Sequence, residues 1–89
     1  MTVRATKTFV KHIKVLPKSY RLKIDNYVVL MSDAADLSEL PFIEALRGYK
    51  NYFKIRVGYL RIGLHIEGNI IQLDCVLPRG DVYKNYPPA

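Results

Sequence analysis

Lys54, Arg56 and Arg61 stand close together in the segment KIRVGYLR. In an extended chain Lys54 and Arg56 leave the same face, because side chains alternate with a period of two. If Gly58 turns the chain, a following strand returns Arg61 beside them. Like charges converging in this way destabilise a fold unless an anion visits. Guanidinium forks match phosphate oxygens bidentately. The chemistry such a group suits is cleavage of RNA by the neighbouring 2′-hydroxyl. That reaction needs a base for the hydroxyl, cations for the charge on the pentacoordinate phosphate, and an acid for the leaving 5′-oxygen. Lysine serves as the base only when its pKa falls, and crowding by Arg56 and Arg61 works in that direction. Preorganised cations supply much of the barrier reduction. The same pattern also fits a solvated basic face with no ligand.

A second basic group follows in PRGDVYKNYPP, residues 78–88. Arg79, Tyr83 and Lys84 are placed to reach the same face. Tyr83 and Tyr86 can stack on bases or donate a phenolic proton. The alternative is a frayed basic tail whose tyrosines pack on the sheet edge. His65 shares the basic face, whereas His12 flanks the apolar stripe of a helix and reads as a surface residue. The sole cysteine, Cys75, lies in an apolar run and reads as a small buried hydrophobe. One cysteine and two scattered histidines do not build a metal site. Asp74 and Glu67 lack ligand spacing. Neither metal nor cofactor is expected. No glycine loop cradles a phosphate, since Gly48, Gly58, Gly63, Gly68 and Gly80 are scattered as turn and strand residues.

The elements that must position these residues can be read from periodicity. Residues 2–5 fit a short strand. Residues 7–16 fit a helix capped by Thr6, with Phe9, Val10, Ile13 and Leu16 on one face and Lys7, Lys11 and Lys14 opposite. Pro17 ends it. A second helix over about 18–32 carries a main stripe of Tyr20, Ile24, Tyr27, Val28 and Met31, with Leu22 and Val29 on the other side. Two apolar sides predict two neighbours, the sheet and the first helix. Residues 33–51 are irregular, with one helical turn expected at Phe42, Ile43, Ala45 and Leu46. From Tyr52 the period becomes two. Phe53, Ile55 and Val57 alternate with Tyr52, Lys54 and Arg56. Leu60, Ile62, Leu64 and Ile66 alternate with Tyr59, Arg61, Gly63 and His65. A tight turn at Glu67-Gly68-Asn69 leads to the nearly all-apolar IIQLDCVL, which suits a strand covered on both faces.

With 89 residues the chain reads as one domain, 1–89, with a marginal core. A formal charge of +6 favours a polyanionic partner. No apolar run is long enough to span a membrane, and MTVRATKTFV lacks the apolar core of a signal peptide. A cytoplasmic protein is expected.

LRGYKNYFKIRVGYLRIGLHI, residues 46–66, resembles the central motif of RelE/ParE-type toxins of bacterial type II toxin–antitoxin systems. RGDVYKNYP, residues 79–87, resembles that family's C-terminal signature, and FVKHIKVLPKSYRLKI, residues 9–24, resembles its helical hairpin. The resemblance implies an α+β fold: a short N-terminal strand and an α-helical hairpin packed on one face of a four-stranded antiparallel sheet. It implies a ribosome-dependent endoribonuclease that cleaves mRNA and is blocked by a cognate antitoxin. Lys54 would be the base, helped by Arg56. Arg61 would hold the phosphate, Arg79 would act as acid or charge stabiliser, and Tyr83 would orient the substrate. Arg47, Lys50, Lys84 and Tyr86 would contact RNA. Two other readings share the fold: a toxin that poisons DNA gyrase without cutting RNA, and an inactive module that only docks an antitoxin or nucleic acid.

Overall fold

The structure is a computed structural model. It describes residues 1–87, apart from the side chain of Tyr83. The chain runs β1 (Thr2–Ala5), α1 (Lys7–Lys14), α2 (Lys18–Asp33), a 3-10 turn (Leu37–Glu39), β2 (Ile43–Ala45), β3 (Tyr52–Val57), β4 (Leu60–Glu67), β5 (Ile70–Pro78) and α3 (Val82–Asn85). The strands form one mixed sheet in the order β1-β5-β4-β3-β2. Among the described residues only β1 pairs in parallel, against β5.

The α+β fold expected from the sequence is present, with two differences in the sheet. The N-terminal strand joins in parallel, and a fifth strand, β2, replaces the helical turn expected at 42–46. The free edge of β3 offers backbone ladder bonds, and Ile43, Glu44 and Ala45 take them opposite Ile55, Lys54 and Phe53. Three ladder positions outweigh the weak preference of so short a segment for helix.

The hairpin of α1 and α2 covers one face. Phe9, Ile24 and Met31 meet Ile55, Val57, Ile62, Leu64, Ile71 and Leu73 in the main core. Thr6 accepts from the Phe9 N–H as the helix cap, and its hydroxyl donates to the Asp74 carbonyl. Leu22 and Val29 do not pack between the helices as expected; they are 53% and 57% exposed. The helices touch the sheet side by side, so the outer side of α2 has no neighbour among the described residues.

One irregularity sets the opposite face. Along β4 and β5, Gly63 pairs with Cys75, but Leu64 pairs with Leu73. Asp74 is therefore the extra residue of a β-bulge. Before it Ile71 and Leu73 face the hairpin; after it Val76 does. The bulge shifts the alternation by one, so Cys75 and Leu77 face the other side. There they join a second apolar cluster with Leu46, Tyr52, Val82 and Tyr86. The sheet is thus covered on its second face as well, by α3 over its middle.

Candidate active site

The register of β3 and β4 places Arg56 directly opposite Arg61, and Lys54 opposite Gly63. Ile55, Val57 and Ile62 point into the hairpin core. Lys54, Arg56 and Arg61 therefore emerge together from the face away from the hairpin, as alternation requires. Arg79 follows β5, its N–H donating to the Tyr59 carbonyl at 3.0 Å. Arg56, Arg61, Arg79 and Gly80 line one cleft of about 440 Å³. Lys54, half-buried, lies one register pair along the same face from Arg56 and Arg61.

Two of these guanidinium groups are held by the protein itself. Arg56 Nε donates to Glu44 Oε1 at 3.0 Å, across from β3 to β2. Arg61 donates to the carbonyls of Gly58 and Leu60 at 2.7 and 2.8 Å. Each contact engages part of a five-donor fork and leaves the remainder for an anion. The Arg56–Glu44 pair is solvent-exposed, so it orients the side chain more than it stabilises the fold. Glu44 has no counterpart in the sequence reading, which gave residues 42–46 to a helical turn. Its cross-strand position opposite Lys54 appears only once β2 is paired.

The remaining expected residues fall elsewhere. Arg47 and Lys50 are exposed in the loop that enters β3 beside Tyr52. That is the far end of the strand from Arg56, roughly 13 Å away at the usual strand rise. Lys84 is exposed on α3. Tyr83 also lies on α3, and the position of its side chain falls outside the described residues. Tyr86 departs from the expected exposed, base-stacking role: it is only 5% exposed. Its ring meets Tyr52 edge-on with centroids 5.6 Å apart, and its hydroxyl donates to Asp74. Burial, with Asp74 beside it, pushes the Tyr86 phenol well above its ordinary range.

Both histidines are engaged. His65 stacks at a tilt on Tyr52, centroids 4.9 Å apart, with Nε2 3.2 Å from Glu67 Oε1. His12, expected at the surface, is half-buried, and its Nδ1 accepts the Val76 N–H at 2.9 Å. β1 ends at Ala5, so the amides of β5 beyond that point lack a strand neighbour on this side. Thr6, capping the start of α1, and His12, in its last turn, satisfy two of those groups. Cys75 is buried, and burial pushes its thiol up to about 11.

A second concavity, about 460 Å³, opens between α1, β5 and α3. It is slightly larger than the arginine cleft, but its chemistry is different. In it Gln72 and Tyr86 both donate to the Asp74 carboxylate, and His12 accepts the backbone N–H of Val76. The arginine cleft is the one with donors to spare. Among the described residues no group of three or more His, Cys, Asp or Glu is placed to hold a metal ion.

Hairpin, mixed sheet and cationic cleft define a small basic α+β protein with three arginines gathered on its second sheet face. The chain is 36% identical over 88 residues to Toxin RelE3 of Methanocaldococcus jannaschii, covering 98% of this chain and all of the relative. It belongs to the RelE toxin family. The solved RelB–RelE antitoxin–toxin complex from Methanococcus jannaschii matches with a TM-score of 0.79 and 33% identity, over 94% of this chain and 99% of that one. The isolated E. coli RelE toxin matches in fold, with a TM-score of 0.67 and 16% identity over 93% of this chain and 90% of that one. No family model matches the chain. Archaeal and bacterial proteins both appear among these relatives, so the likeness does not assign the chain to bacteria.

Proposed function

We propose that this RelE-family toxin is a ribosome-dependent endoribonuclease that cleaves mRNA in the cytoplasm and so arrests translation. The observation that carries the reading is the convergence of Arg56, Arg61 and Arg79 on one cleft, with Lys54 beside it on the same face. In the reaction the 2′-oxygen attacks phosphorus, and the bond to the 5′-oxygen breaks. The products are a 2′,3′-cyclic phosphate and a 5′-hydroxyl. Lys54 takes the 2′-proton, assisted by Arg56. Arg61 grips the non-bridging oxygens, and Arg79 stabilises or protonates the departing 5′-oxygen. Tyr83 orients the substrate. Lys84 extends the basic surface that meets the RNA, and Arg47 and Lys50 provide a second contact at the far end of β3. The ribosome supplies the orientation that so small a surface lacks.

A cognate antitoxin is the second partner. RelE proteins from Methanococcus jannaschii and Pyrococcus horikoshii have been solved with RelB. The exposed Leu22 and Val29 on α2 give such a partner an apolar strip to cover.

Induced expression of the wild type and of Arg61→Ala, followed by mapping of mRNA 5′ ends, tests the enzymatic reading. The wild type should arrest translation and leave cuts that depend on translation, and the variant should leave none. DNA damage responses with intact mRNA would indicate a gyrase poison instead. A harmless wild type would indicate an inactive module.

A further inference from the structure

Three features that periodicity alone does not connect meet at one point on the second face of the sheet. The first is Gly63, in the middle of β4. A Cβ built there would stand 2.8 Å from Cys75 Sγ and 2.8 Å from Tyr86 Cδ2. Contacts that short cannot be relieved by a small adjustment, because both neighbours are themselves buried. Gly63 has no positive φ, so its lack of a side chain serves space, not backbone conformation. The second feature is the bulge, which turns Asp74 toward the same face as Cys75. The third is Tyr86, whose ring fills the slot over Gly63 while its hydroxyl reaches Asp74 Oδ2. Gln72 Nε2 holds the other carboxylate oxygen at 2.8 Å.

The segment between β5 and Tyr86 carries Arg79, Tyr83 and Lys84. It is fixed at its start by the Arg79 N–H to Tyr59 carbonyl bond and by the Asp81 N–H to Pro78 carbonyl bond. Val82, within it, is fully buried. Its far end is held by Tyr86. We infer that Tyr86, seated over Gly63 and anchored by Asp74, is a positioning residue: it latches the 79–86 segment so that Arg79 completes the arginine cleft. This rests on the ribonuclease reading for its catalytic consequence, but the latch itself does not. The phenol stays neutral, so it acts as a hydrogen-bond donor and not as the acid of the reaction.

The test pairs a structural and a kinetic readout on Tyr86→Phe, Asp74→Ala, Asp74→Asn and Gly63→Ala. Limited trypsin digestion after Lys84 and Arg79 reports whether the segment is held. Tyr86→Phe, Asp74→Ala and Gly63→Ala should be cut faster by about tenfold, since each loses a buried hydrogen bond or the slot. Asp74→Asn still accepts from the phenol and should stay close to wild type. On programmed ribosomes the first three variants should lose about tenfold in kcat, with KM changed by less than about twofold. Digestion of Tyr86→Phe at the wild-type rate would overturn the latch. Faster digestion with unchanged kcat would overturn the positioning role. Gly63→Ala also tests the fold, and Tyr86→Phe keeps the test valid if that variant does not fold. A wild type that cuts no mRNA sinks the ribonuclease reading and Tyr86's catalytic part in it. The digestion rates would still decide the latch.

Discussion

Arg61 and Arg56 show how much a single side chain discloses in sequence. Their phase followed from alternation alone, because the β3 and β4 residues between them are apolar and must face the hairpin. Tyr86 did not disclose itself. A tyrosine in a basic tail reads either as a base-stacking group or as packed on the sheet edge, and the missing Cβ of Gly63 creates the slot that buries it. The legible signal was a glycine inside an otherwise regular strand pattern, which often marks close approach of another group. Cys75 did match its reading as a buried hydrophobe. With its thiol pushed up to about 11, very little thiolate exists at neutral pH. Native Cys75 should therefore react with iodoacetamide at pH 8 at least about a hundredfold more slowly than in the urea-unfolded chain. The sign of the linked stability follows from the raised value. The buried thiol favours the folded state below pH 9.0, and this contribution is lost as pH rises toward 11. A melting temperature that holds steady to pH 8.5 and falls beyond about pH 9 would agree; a flat profile to pH 11 would not.

At the scale of elements, long periodic segments were legible and short or irregular ones were not. α2 and the strands β3, β4 and β5 fell where periodicity put them. β2 was missed because three residues carry no usable period, and its existence depends on the free edge of β3. The bulge at Asp74 is hidden because IIQLDCVL reads as nearly all apolar, with apolar residues on both faces masking the switch of faces within it. Thr6 ties two elements together, as the cap of α1 and as a donor to the Asp74 carbonyl. Thr6→Ala should cost about 1–2 kcal/mol in urea unfolding, more than a cap alone commonly does at the low end. Ile62→Ala, at a fully buried site beneath the hairpin, should cost about 3 kcal/mol. A Thr6→Ala variant as stable as wild type would mean that the start of α1 is not what closes the edge of β5. The exposed side of α2 belongs to this scale too. Leu22→Glu with Val29→Glu should leave the melting temperature within about 2 °C of wild type and weaken antitoxin binding by at least about tenfold. Unchanged binding would place the antitoxin on another surface.

For the whole molecule, the net charge of +6 and the division of the sheet into a hairpin face and a cationic face were both readable from the sequence. The partial cover of the second face was not, because it depends on where α3 folds back. That cover divides the face: α3 closes the middle, and the cations remain at the end formed by the β3–β4 turn and Arg79. Association with ribosomes should weaken by at least about tenfold between roughly 50 and 200 mM salt, as expected when cations meet phosphates. The most direct measurement is single-turnover cleavage of a defined mRNA on programmed ribosomes, with chemical identification of the new ends. Wild type should release a 2′,3′-cyclic phosphate and a 5′-hydroxyl, and Arg61→Ala should be slower by at least about a hundredfold while remaining folded. Cleavage by Arg61→Ala at the wild-type rate, or no cleavage by the wild type, would contradict the assignment of the arginine cleft as the catalytic centre.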